Sequence, residues 1–216
     1  MIMKKIITCA LTMVMALSLM AGCASSGANE SVPTQPPVYG EDTMPTFTAP
    51  VLGDETEPAG DASAVAVLEN IWAKYGDDEK FAVIGGNMEN PVDGAPGNYD
   101  MAYAENLTYN LLVPAEQLTN VSEAATMIHM MNANTFTSGV IRLADGVDAA
   151  AFAAAMRDAI QGNQWMCGFP ETLVIASIGD YVLIAFGVND AMNPFQAHLA
   201  EAYPDAVSLY NEAITG

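Results

Sequence analysis

The segment from residue 87 to residue 100 carries the side chains best suited to hold a metal ion. Six of its side chains present carboxylate or amide oxygens, which a hard cation such as calcium prefers as ligands. These are Asn87, Glu89, Asn90, Asp93, Asn98 and Asp100. Their spacing does not match an EF-hand loop. The favoured ligand set is Asn87, Glu89, Asp93 and Asp100, so the binding of a divalent cation is one function that the sequence leaves open.

Side chains that commonly carry out catalysis are sparse. The chain has only two histidines, His129 and His198, so a zinc site with three histidine ligands is excluded, and neither lies in an H-E-x-x-H motif. No G-x-S-x-G nucleophile motif is present, and the pair Gly85-Gly86 lacks the Gly-Lys-Ser/Thr ending of a phosphate-binding loop. Two carboxyl groups could still act as general acid and base. A cell-envelope hydrolase therefore stays open as an alternative, with no catalytic residue identified and no cofactor expected.

Sulfur-containing side chains offer a further kind of chemistry. Of the three cysteines, Cys9 lies within the N-terminal leader and Cys23 directly follows it, so we expect neither to form a disulfide with Cys167. We expect Cys167 to be a small, buried or half-buried residue. The methionine-rich stretch 127–131 could bind copper or an apolar partner. Because fourteen methionines are spread along the chain, packing in the core is the favoured interpretation of that stretch.

The N-terminus has the pattern of a secretory leader. Lys4 and Lys5 precede an apolar run that extends to Ala21, and small residues follow at the point where a leader is cleaved. No lysine or arginine then occurs until Lys74. The missing basic flank favours a cleaved leader over a transmembrane helix, for which residues 6 to 22 are also barely long enough.

The end of this leader, Leu19-Met20-Ala21-Gly22-Cys23, resembles a lipobox, the motif of bacterial lipoprotein precursors. The resemblance implies cleavage between Gly22 and Cys23, with lipid joined to the Cys23 thiol. Residues 1–22 are then the signal peptide. The expected location is extracytoplasmic, on the surface of the cell membrane, with the membrane itself as a partner through the lipid anchor.

The charge of the chain restricts its partners. It carries 26 acidic residues against 6 basic ones, for a formal net charge of −20. Phosphate backbones and anionic lipid headgroups would be repelled, which argues against nucleic acid as a partner and against a domain lying flat on the membrane. The field favours cationic ligands, basic protein patches and divalent cations. It is equally explained by solubility alone.

Composition divides the mature chain into a tether and a domain. Residues 23–60 combine few apolar side chains with repeated prolines, which is typical of a segment that cannot offset its ordering entropy. The prolines are Pro33, Pro36, Pro37, Pro45, Pro50 and Pro58. Residues 61–216 are rich in apolar residues at regular spacing and predict a single folded domain.

Apolar periodicity and turn residues predict an α+β fold in that domain, an antiparallel sheet with helices packed against it. The C-terminal half has the order strand, helix, hairpin, helix. In the first half, the predicted elements are a helix over 65–75 capped by Asp61 or Ser63, a strand at 81–84, a loop over 85–98, and helices over 99–111 and 122–131. In the second half, they begin with a strand over 135–143 and a helix from Asp148 to Gly162. A hairpin of 173–178 and 181–186 through Gly179-Asp180 follows, and then helices from Asn193 and over 204–214.

Part of this half also resembles a known family. The run from Thr137 to Leu143, the helix after Asp148 and the run from Ile178 to Ile184 are similar to small clostridial-type lipoproteins catalogued as a domain of unknown function. The similarity covers about residues 110 to 190. It implies a surface location and no particular activity. We therefore expect a membrane-anchored, non-catalytic module that binds an envelope protein, a peptide or a small ligand.

Overall fold

The computed structural model describes residues 63–215. The predicted signal peptide, Cys23 and the tether lie outside the described residues. The helices are α1 (Ala64–Trp72), α2 (Leu107–Asn110), α3 (Ala149–Gln161) and α4 (Asn189–Ala202), with 3-10 helices at Met101–Asn106 and Ala115–Asn120. The strands are β1 (Val83–Asn87), β2 (Asn90–Asp93), β3 (Gly97–Asn98), β4 (Val121–His129), β5 (Phe136–Leu143), β6 (Thr172–Ile178), β7 (Tyr181–Gly187) and β8 (Val207–Ala213).

All eight strands form one antiparallel sheet. Its order is β2-β1-β4-β5-β7-β6-β8, and β3 also pairs with β4. Helices α1 and α4 pack on one face through residues such as Leu68, Ile71 and Phe195. Helices α2 and α3 pack on the other face through residues such as Leu107 and Phe152. The predicted α+β architecture is confirmed, with helices on both faces of the sheet.

The central strands are buried on both sides because both faces are covered. Every residue of β7 is buried, and so are Phe136 to Ile141 of β5. Along β7, Leu183 contributes to the core under α1 and α4, while its neighbour Val182 contributes to the core under α3. Strand β7 is therefore a continuous, mostly apolar run rather than an alternating one, whereas β5 also buries the polar residues Thr137 and Ser138.

Local signals fix several elements where the sequence predicts them. Ser63 caps α1 by accepting a hydrogen bond from the Ala66 N–H at 3.3 Å. Asp148 caps α3 by accepting one from the Ala150 N–H at 2.9 Å. The β6–β7 hairpin turns at Gly179, whose φ of 53° suits the first position of a tight two-residue turn. These predictions are confirmed, as is the order strand, helix, hairpin, helix of β5, α3, β6–β7 and α4.

Two predicted helices are wrong. The segment predicted as a helix over 122–131 is strand β4, which lies between β1 and β5. The segment predicted as the last helix, over 204–214, is strand β8 at the sheet edge beside β6. Short apolar segments fit both periods, and pairing with neighbouring strands decides between them.

Three further boundaries also differ. The predicted loop 85–98 contains β1, β2 and β3. The predicted helix 99–111 is a 3-10 helix capped by Asp100, followed by one α-helical turn. Helix α4 starts at Asn189, ahead of Asn193. Each difference arises where tertiary pairing or a short cap overrides local sequence preference.

Glycines let β1 and β3 approach each other closely. A Cβ atom placed on Gly85 would lie 2.1 Å from the Gly97 nitrogen and 2.5 Å from the Ala95 carbonyl oxygen. Only a residue without a side chain fits against backbone at that distance. The pair Gly85-Gly86 therefore has a packing role in the sheet.

Among residues 63–215, none of the helices has the length and apolar character needed to cross a bilayer.

Candidate binding surface

The predicted cation ligands are only partly brought together. The Asn87 side chain is buried, and its Nδ2 donates to Glu89 Oε2 at 2.8 Å. Its Oδ1 accepts a hydrogen bond from the Asp100 N–H at 3.3 Å. The Asp100 carboxylate accepts one from the Ala102 N–H at 2.9 Å and so acts as a helix cap. The Asn87 amide and the Asp100 carboxylate thus have partners within the protein.

The fourth predicted ligand, Asp93, lies elsewhere. Asp93 pairs with Ile84, whereas Asn87 pairs with Asn90 at the opposite end of the same hairpin. At a rise of about 3.3 Å per residue, that separates the two positions by about 10 Å. Within residues 63–215, no group of three or more histidine, cysteine, aspartate or glutamate side chains could hold a metal ion. The ligand set Asn87, Glu89, Asp93 and Asp100 is therefore not assembled in one place.

Both histidines take part in packing contacts. His129 ends β4 rather than lying in a helix, and its Nδ1 accepts a hydrogen bond from the Met131 N–H at 3.2 Å. His198 lies on α4, and its side chain is only 14% exposed. Its ring lies 4.3 Å from the Tyr75 ring, and its Nε2 lies 3.5 Å from Glu79 Oε2. These contacts fix a loop and a pair of helices.

Two buried tyrosines are also poor candidates for catalysis. Burial, and then the charges of Glu89 and Glu105, raise the pKa of Tyr99 to about 12. Burial, followed by the charge of Glu79, raises the pKa of Tyr75 far above its ordinary value. Both phenols therefore stay protonated at neutral pH and neither can serve as a base.

A polar cleft of about 460 Å³ lies at the end of the sheet, beside the N-terminus of α3. Residues 142–147 line one side, and the β6–β7 turn lines the other. Asp145 and Asp180 are its only carboxylates, and its lining holds no histidine, cysteine or lysine. Ser177 also lines the cleft, but without a histidine the lining holds no serine–histidine pair of the kind that activates a nucleophile.

The four basic side chains between residues 63 and 215 are all engaged. Lys74 Nζ lies 3.2 Å from Glu201 Oε1, and Lys80 Nζ lies 5.7 Å from the centre of the Trp72 ring. Arg142 Nη2 donates to the Tyr181 hydroxyl at 2.8 Å, and its Nε lies 3.9 Å from Glu123 Oε2. Arg157 Nε lies 2.6 Å from Glu212 Oε1.

In the Arg157–Glu212 pair, a carboxylate offsets the charge of the guanidinium group. Burial alone would raise the pKa of the Glu212 carboxyl. Hydrogen bonds from Arg157 and Gln161, together with the Arg157 charge, outweigh burial and hold that pKa below its usual range. Glu212 is therefore ionised at neutral pH, and its charge is offset locally by Arg157.

Exposed apolar side chains gather on two neighbouring loops. These are the β4–β5 connection, residues 130–135, and residues 163–170 of the α3–β6 connection, which together we call the methionine tip. Met131 is 82% exposed and Met166 is 79% exposed, and Met130 and Phe169 are about half exposed. Neither loop contains a charged residue. Cys167 is also exposed, so the prediction of a buried or half-buried cysteine is wrong.

Asparagine side chains join the two loops of the tip. Asn132 Nδ2 donates to the Cys167 carbonyl at 2.8 Å, and Asn134 Nδ2 donates to the carbonyls of Met166 at 2.7 Å and Gly168 at 3.0 Å. Cys167 adopts a left-handed φ of 62°, which most residues avoid. The hydrogen bonds hold this turn in place, so the apolar side chains project from a defined backbone.

The base of the tip is tied to the sheet and to α4. The Val188 N–H donates to the Thr135 carbonyl at 3.0 Å, and the Asn189 N–H donates to Glu171 Oε2 at 2.7 Å. Trp165 packs on Phe186, with ring centres 5.4 Å apart. The tip is thus an extension of the folded core.

From the sequence, Met130 and Met131 are predicted to lie in a helix and to pack in the core, and Met166 is not singled out. The second loop carried no recognised motif. One signal was available, because residues 130–135 and 163–170 are both free of charge in a strongly acidic chain. Their adjacency depends on the sheet order, which a single sequence does not reveal.

No known family model, curated protein or solved structure matches the chain. The resemblance to clostridial-type lipoproteins and the lipobox both stay predictions.

Proposed function

We propose that this chain is an exported lipoprotein, held on the outer face of the membrane by lipid on Cys23, whose domain binds a protein partner without catalysis. The observation that carries the binding role is the methionine tip. Its side chains are apolar and exposed, and asparagine hydrogen bonds hold its backbone. Exposed apolar side chains grouped on adjoining loops commonly mark an interaction site.

The energetics of the tip favour a protein partner. Burial of apolar surface contributes about 25 cal/mol per Å², so covering the exposed side chains of the tip would stabilise a complex. A backbone already fixed by Asn132 and Asn134 has little entropy left to lose on binding. Methionines add adaptability, since their unbranched, polarisable side chains fit varied apolar surfaces.

The test is a photocrosslinking amino acid placed at Met131 in the full chain, in the bacterium that produces it. The matched control is Met88, which is 90% exposed and lies in the β1–β2 turn. The tip lies at the other end of β1, because the Met130 N–H donates to the carbonyl of Ala82, just before that strand. Met88 is therefore an exposed methionine away from the tip. We expect a discrete crosslinked protein from position 131 and none from position 88.

A second variant connects the crosslink to the tip. Met166→Gln on the neighbouring loop keeps the size of the side chain but makes it polar, and we expect it to reduce the crosslink from position 131. Equal crosslinking from positions 131 and 88, or a crosslink that Met166→Gln leaves unchanged, would contradict the proposed binding role.

A further inference from the structure

The carboxylates around the methionine tip point to the chemistry of its partner. The tip has no charge of its own. Glu171 follows the second loop directly, and Asp190 lies in the first turn of α4 beside Asn189, which donates to Glu171. Both acidic residues are exposed. An apolar surface with two carboxylates at its base therefore faces any approaching partner.

The basic residues of the domain do not offset the negative charge of these two carboxylates. Lys74, Arg142 and Arg157 each lie against a carboxylate, and Lys80 lies over the Trp72 ring. The whole chain carries a net charge of −20. A partner that brings lysine or arginine beside its apolar residues gains attraction, whereas an acidic partner or a second copy of this chain meets repulsion.

We infer that the segment seated on the methionine tip is a basic amphipathic helix, with apolar residues on one face and lysine or arginine along its borders. This inference rests on the proposed function and names the partner class. Apolar residues of the helix cover Met131, Met166 and Phe169, while its basic residues approach Glu171 and Asp190. Acidic surfaces rich in methionine suit such helices, because methionine adapts to different apolar faces.

The test uses the full-length chain in phosphatidylcholine nanodiscs and three designed helical peptides of equal length. One is amphipathic and made of leucine and lysine, one has the same composition in a scrambled order, and one is amphipathic and made of leucine and glutamate. Bare nanodiscs give the background from peptide bound to lipid. We expect the amphipathic leucine–lysine peptide to bind at least about tenfold more tightly than either of the others.

Variants separate the apolar contribution from the charge contribution. The double change Met131→Gln and Met166→Gln should weaken binding of the leucine–lysine peptide by about tenfold, whereas Met88→Gln should leave it unchanged. The double change Glu171→Gln and Asp190→Asn should slow association and reduce its dependence on salt. Gln at position 171 keeps an oxygen that can accept the Asn189 hydrogen bond.

Three results would overturn the inference. They are equal binding of the scrambled peptide, equal binding of the leucine–glutamate peptide, and pairing of two chains in one nanodisc that the tip variants abolish. The last result would assign the surface to a second copy. If any of these results is found while the crosslink from position 131 persists, only the basic helix is rejected. The proposal that the tip binds a protein would then still stand. Loss of that crosslink would reject both.

Discussion

Replacing Phe136 with alanine is expected to lower the free energy of unfolding by about 3–5 kcal/mol. Phe136 is fully buried in β5. Its ring lies edge-on to Phe81 at 5.3 Å and to Phe195 of α4 at 5.1 Å, so it joins the central sheet to the layer that covers it. Because neighbouring side chains are themselves packed, they cannot collapse fully into the space left behind. Denaturant unfolding should show a lower midpoint with an unchanged slope.

Phe169→Ala is the matched control for this prediction. It removes the same atoms from a side chain that is 49% exposed at the methionine tip. Its expected cost is about 1 kcal/mol, as for most substitutions outside a core. Equal destabilisation by the two variants would show that Phe136 does not occupy the centre of the core.

Replacing Gly85 with alanine is expected to cost about 3 kcal/mol or more. The added methyl group would meet the Gly97 nitrogen at 2.1 Å and the Pro96 carbonyl carbon at 2.4 Å. Those atoms belong to the backbone and cannot rotate away as a side chain can. The β1–β3 contact would have to open, and with it the pairing of both strands with β4. Thermal and denaturant unfolding of the variant would measure the effect.

Gly94→Ala separates this clash from backbone strain. Gly94 has a left-handed φ of 73° and open space around its Cβ direction, so alanine there should cost only the conformational penalty of about 1–2 kcal/mol. If Gly85→Ala costs no more than Gly94→Ala, then β1 and β3 do not approach as closely as described.

The elements that the sequence predicts well are those specified by their own residues. Asp148 caps α3, and Gly179 turns the β6–β7 hairpin. Strands β5, β6 and β7 are segments too short for typical helices and bounded by turns, and the two hairpin strands are mostly apolar. In each case the deciding interaction lies within a few residues along the chain, where periodicity and turn chemistry can report it.

The remaining elements depend on contacts that are distant in sequence. The sequence of β4 is predicted as a helix because Ser122 fits a helix cap and the apolar residues after it fit a helix face. Pairing with β1 and β5 makes the segment a strand. The methionine tip shows the same dependence. Asn132 and Cys167 are 35 residues apart, and only the folded sheet places their loops together.

The location of the protein is the premise on which the binding role depends, and labelling with a fatty acid analogue such as tagged palmitate tests it directly. Cells producing the full chain, Cys23→Ala or Cys167→Ala are compared, followed by mass spectrometry of the membrane-bound form. We expect label on the full chain and on Cys167→Ala, none on Cys23→Ala, and a mature N-terminus at Cys23. Label retained by Cys23→Ala, or an unlabelled chain with its leader intact, would contradict lipid anchoring at Cys23.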